Sequence, residues 1–183
     1  MSNLPCVSKL LERVVAAQLV ELLAEHNFLY RFQSAYRPGN STETAVLRVL
    51  SDILCDADGG DLVLLVLLDL SAAFDTIDHS ILLQRLHNEF GVIGSANQWF
   101  QSYLADRSQH VTVHLSSSET TQLTCGVPQG FVLGPVLFLI YTAQLGKIIE
   151  GYGVGHQLFA DDNGLYDSFH PDHSFRTAIS AEA

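Results

Sequence analysis

Cations are scarce in this sequence: nine Lys and Arg stand against twenty Asp and Glu, a formal net charge of −11 at pH 7. That balance argues against a simple electrostatic nucleic-acid binder, which needs a basic face for phosphate contacts. Cysteine is equally sparse. Cys6, Cys55 and Cys125 lie far apart with no CxxC pair, so neither a zinc site nor a disulfide framework is indicated and a reducing, intracellular location is expected, in nucleus or cytoplasm. The N-terminus lacks a basic-then-apolar signal pattern, and the longest apolar run, Leu62 to Leu68, is far shorter than the roughly 20 residues that cross a bilayer. A membrane is therefore not an expected partner. Internal repeats and low-complexity linkers are absent too, so 183 residues and 20.1 kDa predict one compact domain.

What the chain does have is a concentrated pattern at LLVLLDLSAAFD, Leu64 to Asp75. An unbroken aliphatic run reads as a strand buried on both faces, and it delivers one carboxylate, Asp69, at its end. A buried lone carboxylate is costly unless paired or bound to a cation. Far downstream a second apolar segment, His156 to Ala160, ends in Asp161 and Asp162. Two carboxylates about 4 Å apart repel by roughly 4 kcal/mol at a surface-like dielectric, a penalty that a divalent cation removes. Mg²⁺ suits such a set, because it takes one or two carboxylates plus substrate phosphates. Side chains alternate along a strand, so Asp161 and Asp162 cannot both face Asp69 unless the backbone turns between them.

The remaining pattern frames these acids. Leu10, Leu11, Val14, Val15, Leu19, Leu22 and Leu23 recur at helical spacing over Ser8 to Asn27. Pro38-Gly39 marks a turn, and Asn40 with Glu43 reads as a capping box for a helix through Ala45, Val49 and Ile53, closed by Asp58-Gly59-Gly60. Asp78 is placed to cap a helix through Leu82 and Leu86, and Ser95 another bearing Trp99, Phe100 and Leu104. Alternation over Gln109 to Leu115 predicts a half-exposed strand, with Ser116 to Glu119 as its turn. CGVPQG, Cys125 to Gly130, then leads into a helix with Pro135 in its first turn. Asn163-Gly164 carries the composition of a two-residue hairpin turn. Fold class is accordingly mixed, α/β in the α+β sense.

In that order, LDLSAAFDTIDH, CGVPQGFVLGPVLF and FADD resemble the palm motifs of reverse transcriptases, above all those of LINE-type (non-LTR) retrotransposons. The resemblance extends upstream through SNLPCVSKLLERVV and FQSAYRPGNSTETA, covering nearly the whole chain. It implies fingers and most of a right-hand polymerase palm, with a small antiparallel palm sheet backed by helices: 1–60 fingers-like, 61–170 palm-like and 171–183 a tail, with the thumb expected in a longer polyprotein that could also carry an endonuclease. The implied reaction is template-directed addition of deoxynucleotides to a primer 3′-end. Its implied partners are an RNA or DNA template with primer, deoxynucleoside triphosphates and two Mg²⁺ ions, with Mn²⁺ as a substitute.

Residue by residue, the resemblance makes Asp69, Asp161 and Asp162 the catalytic metal ligands, with the Leu70 carbonyl as an extra one. Phe74 matches the steric gate, a ring that would exclude a ribose 2′-hydroxyl; without the family it reads as a core aromatic. Arg37, in YRPGNST, matches the arginine that reaches the triphosphate, a role suited to a bidentate guanidinium. Gln129 and Gly130 are implied in nucleotide binding, and Gly126 and Pro128 in the loop beneath template and primer. Two departures stand out: Phe131 where the family usually has serine, and Asn163-Gly164 where it more often continues Thr-Gln. A turn at Asn163-Gly164 would move Asp161 and Asp162 relative to Asp69. These departures leave a second reading open, a retroelement remnant without enzymatic role. A third reading, a receiver-like phosphoryl-transfer module on a strand-end Asp, requires a parallel sheet.

Overall fold

The computed structural model describes residues 6–114, 116–127 and 132–170. In chain order the elements begin with helices α1 (Cys6–Glu25) and α2 (Thr42–Asp58), strand β1 (Leu62–Asp69), and helices α3 (His79–Asn88) and α4 (Gly94–Leu104). Four short strands follow: β2 (Ser108–Gln109), β3 (Thr112–Val113), β4 (Ser116–Ser117) and β5 (Thr121–Gln122). The chain continues through α5 (Leu133–Tyr141), α6 (Leu145–Glu150), β6 (Gly155–Phe159) and β7 (Asp162–Phe169). Two compact units divide them, one of residues 1–29 with 72–142, the other of 30–71 with 143–183.

The first unit is built on α5, whose apolar side chains run all round the helix and therefore need burial on every side. Leu133, Val136, Leu137, Phe138, Leu139 and Ile140 are all buried. Both α1 and α3 pack against α5, and α4 packs against α3, supplying Leu82, Leu86, Phe100 and Leu104 to the core. Fully burying each such side chain is worth about 1.5–3 kcal/mol. The stretch from Leu133 to Glu150 passes by length and composition as a membrane span, but a turn at residues 142–144 divides it, and the nine residues of α5 are the core of this unit.

Helix α1 differs from its apolar pattern. It buries Glu12, Ala16, Leu19 and Leu23, whereas Leu10, Leu11 and Val14 are exposed. Tyr103 explains the choice in part, donating its hydroxyl hydrogen to Glu12 Oε1 at 3.3 Å. Asp78 caps α3 as expected, accepting the N–H groups of Ser80 and Ile81. Ser95 does not cap α4, which starts one residue earlier, with Ile93 at the N-cap and no side-chain bond there. The single strand expected over Gln109 to Leu115 is instead two separate two-stranded ladders, β2 with β5 and β3 with β4. Ser116 and Ser117 are strand residues paired with Val113 and Thr112 rather than a turn. All four strands are exposed on both faces, so alternation had no core to sort against.

The second unit carries an antiparallel sheet of order β1-β7-β6. Helix α2 packs across it. Its cap lies one residue beyond the expected Asn40: the Ser41 hydroxyl accepts the Thr44 N–H at 3.2 Å, and Thr44 Oγ1 accepts the Ser41 N–H at 2.9 Å. Thr44 thus takes the role read for Glu43. Strand β1 overturns the expectation of burial on both faces: it is an edge strand, and Leu62, Leu64, Leu65, Val66, Leu67 and Leu68 are all exposed. The continuous aliphatic run records β-propensity, not burial. The outer edge of β6, in contrast, is covered by the segment around Gln33, which bridges Leu158 in parallel.

Candidate active site

Register decides where the acids go. β1 and β7 pair from Leu62↔Phe169 to Asp69↔Asp162, so the ladder ends with two carboxylate residues directly opposite one another. Directly opposed residues on antiparallel strands project to the same face of the sheet, which puts Asp69 and Asp162 side by side. Asp161 occupies the second position of the two-residue loop between Phe159 and Asp162, themselves a paired position of β6 and β7. Its carbonyl accepts the Leu70 N–H at 3.2 Å, tying the chain just after Asp69 to the loop.

This loop corrects the sequence expectation of a turn at Asn163-Gly164. Both residues lie within β7, Asn163 opposite Leu68 and Leu158, Gly164 opposite Leu67 and Gln157. The reversal happens at Ala160-Asp161, with Ala160 at φ +56, the positive φ that a tight hairpin needs at its first central residue. Asn-Gly composition yielded because β7 is held by a partner on each side, and slipping the turn would break both ladders. The Asn163 side chain serves the turn instead, donating from Nδ2 to the Asp161 carbonyl at 2.8 Å. Asn163 is 4% exposed, and its Oδ1 has no partner.

Neither ion pair among the described residues, Arg31 with Glu150 or Arg48 with Asp52, involves the three acids. Asp69 and Asp162 are exposed and Asp161 is half-buried. Such a set of hard oxygen donors suits Mg²⁺ or Mn²⁺. Among the described residues no group of three or more His, Cys, Asp or Glu side chains is placed to hold a metal ion; Mg²⁺ takes as few as one or two carboxylates when waters and phosphates complete its shell.

Arg37, in the same unit, is half-buried, and its Nη1 donates to the carbonyls of Tyr30 at 3.1 Å and Gln33 at 3.3 Å. The guanidinium therefore organises the 30–37 segment whatever else it contacts. Two residues here escaped the sequence reading. Tyr36 is exposed at φ +56, and its hydroxyl is pushed above the usual tyrosine range by desolvation and, after it, by the charge of Asp161. Gln33 is buried, with its Oε1 accepting the Ala160 N–H at 3.1 Å. Both lie in the FQSAYRPGNSTETA stretch, but as single polar or aromatic loop residues neither was singled out there.

Phe74 and Gly126 belong to the first unit. Phe74 is half-buried with its ring 5.3 Å from that of Phe138, and its carbonyl accepts the Val127 N–H at 2.8 Å. Gly126, at φ +86, packs against backbone: a Cβ there would lie 3.0 Å from the Asp75 carbonyl oxygen. Its N–H donates to the Ile77 carbonyl at 2.8 Å, and its own carbonyl lies 2.7 Å from His79 Nε2. An intramolecular close approach thus suffices to require glycine. Pro128, Gln129, Gly130 and Phe131 lie outside the described residues.

Comparison with known proteins identifies the family. The family model described as reverse transcriptase (RNA-dependent DNA polymerase) matches residues 1–174. A probable RNA-directed DNA polymerase from transposon BS of Drosophila melanogaster is 35% identical over 150 residues, 79% of this chain and 16% of the relative. A probable RNA-directed DNA polymerase from transposon X-element of the same fly is 31% identical over 169 residues, 88% of this chain and 18% of the relative. The RNA-directed DNA polymerase from its mobile element jockey is 28% identical over 144 residues, 79% of this chain and 16% of the relative. The chain spans less than a fifth of the length of each of these relatives. An all-antiparallel three-stranded sheet with acids at its ladder end, together with these matches, removes the receiver-like reading: the chain belongs to the reverse transcriptase family, in the company of LINE-type transposon polymerases.

Proposed function

We propose that this chain supplies the fingers and most of the palm of an RNA-directed DNA polymerase that extends a primer with deoxynucleotides, and that Asp69, Asp161 and Asp162 hold its two Mg²⁺ ions. The observation that carries the proposal is the end of the β1–β7 ladder, where Asp69 faces Asp162 without a cationic partner among the described residues. When bound, the ions would lower the pKa of the primer 3′-hydroxyl and offset charge on the leaving pyrophosphate. The chain's own part is placement. Asp69 and Asp162 offer oxygens from one face, Asp161 offers its carboxylate from the turn between strands, and the Leu70 carbonyl adds a neutral donor.

The other roles are family-level. Arg37 keeps the 30–37 segment in shape through Nη1 and would meet the triphosphate with its remaining N–H groups. Phe74, braced against Phe138, would bar a 2′-hydroxyl by bulk, which is specificity by exclusion. Gly126 and Pro128 would lie beneath template and primer, and Gln129 and Gly130 against the nucleotide.

Primer extension on an RNA template, with Mg²⁺ or Mn²⁺, tests the reading. Asp69→Asn and Asp161→Asn should each abolish incorporation; extension unchanged by either removes the metal assignment. If neither the chain nor a version carrying Phe131→Ser and extended by a thumb elongates a primer, the remnant reading takes its place.

A further inference from the structure

The Ala160-Asp161 turn is held from outside its own hairpin. Ala160 adopts φ +56, a left-handed conformation disfavoured for any residue with a Cβ. Its N–H is buried and donates to Gln33 Oε1 at 3.1 Å, and the same oxygen accepts the Ala35 N–H at 3.0 Å. Gln33 is only 5% exposed, and the backbone on either side of it is bonded to β6: Leu158 donates to the Phe32 carbonyl at 2.9 Å and accepts from the Ser34 N–H at 3.0 Å. The turn is thus clamped to a segment more than a hundred residues upstream. Relaxing Ala160 to a right-handed conformation would turn its N–H away from Gln33 and leave that N–H unpaired in a buried place, while Gln33 Oε1 would keep only the Ala35 N–H.

We infer that Gln33 is a positioning residue for the acid-bearing turn: by accepting the Ala160 N–H, its amide oxygen holds the backbone that presents Asp161 and Asp162 beside Asp69. The inference rests on the metal-binding reading of those acids. Gln33 acts through backbone alone and needs no contact with metal or substrate. What matters is the acceptor oxygen, so Met, of similar length and volume but with no comparable acceptor, fails in the role. If the acceptor serves only to enforce a positive φ, glycine at position 160, which adopts that φ without strain, makes it dispensable.

Three variants of the full chain, Gln33→Met, Ala160→Gly and the double substitution, test this with two readouts, hydrogen exchange of the residue-160 amide and Mn²⁺ affinity by electron paramagnetic resonance. Gln33→Met should speed exchange of the Ala160 amide and weaken Mn²⁺ binding by roughly tenfold, the lower range for groups that orient metal ligands. Ala160→Gly alone should bind Mn²⁺ as the original chain does, and adding it to Gln33→Met should restore the affinity. An Ala160 exchange rate or Mn²⁺ affinity unaltered by Gln33→Met, or no recovery in the double variant, overturns the inference. Asp69→Asn and Asp161→Asn, measured alongside, report on the reading beneath it: if they bind Mn²⁺ like the original chain, the acids are not the metal site, whatever Gln33 does to the turn.

Discussion

Glu12 is a single residue that sets a pH dependence. It is 2% exposed, Oε2 has no partner, and desolvation pushes its carboxyl above the ordinary 4.5, against the lowering effects of Tyr103, the Leu133 and Val132 N–H groups and Arg107. A carboxyl with a raised folded pKa binds its proton more tightly in the folded state. Its contribution to stability is therefore complete below about 4.5 and lost as pH rises through the folded pKa. Gln at this position mimics the protonated form. Thermal unfolding should show Glu12→Gln gaining on the original chain at pH 7, with the gap closing as pH falls through the raised folded pKa toward 4.5; a pH-independent gap would contradict the assignment. Gly126→Ala tests a second residue. With φ +86 and the Asp75 backbone 3.0 Å from the new Cβ, it should cost at least about 1–2 kcal/mol in urea unfolding, the left-handed penalty alone, and a neutral result would remove the close-approach account. At this scale the strand register sets Asp69 opposite Asp162, and the sequence drew notice to Asp69, Asp161 and Asp162 because a carboxylate after an apolar run is conspicuous. It hid Glu12 and Gln33, whose importance lies in partners up to 127 positions away.

Among elements, β1 and β6 make the sharpest contrast. Both border β7, yet Leu67 on the aliphatic β1 is 76% exposed and Leu158 on β6, beside His156 and Gln157, is 2% exposed. Leu158→Ala should cost about 2–5 kcal/mol through lost contacts and a cavity, while Leu67→Thr should stay within about 0.5 kcal/mol. Equal losses in denaturant unfolding would mean that β1 is covered in solution. Sequence reading made β1 a strand correctly and its burial wrongly, because aliphatic content does not say which side of a sheet meets a helix. Helix α5 shows the opposite case: an equally apolar stretch is buried apart from Pro135 and Tyr141, since α1 and α3 pack on it. Turn chemistry misled at Asn163-Gly164 for a related reason. Local preference for a tight turn is worth less than the paired positions that fix β7 between β1 and β6.

Over the whole molecule, long-range pairing does what local pattern could not. Residues 62–69 find residues 162–169 across most of the chain, and that antiparallel register converts acids from two distant motifs into neighbours. Motif order revealed the family and the mixed α/β class; only register, which depends on every residue of both strands, could say that Asp162 stands opposite Asp69 and that Asp161 occupies the turn. At a net charge of −11, the metal site proposed for this ladder end would also offset the repulsion among its clustered acids.

The most direct test of that claim is paramagnetic broadening of backbone amide signals on titration with Mn²⁺. Asp69, Leu70, Asp161 and Asp162 should broaden first and together, and Asp69→Asn should abolish the effect at all four. Broadening that begins elsewhere, or that persists unchanged in Asp69→Asn, would contradict a shared metal site at the end of the β1–β7 ladder.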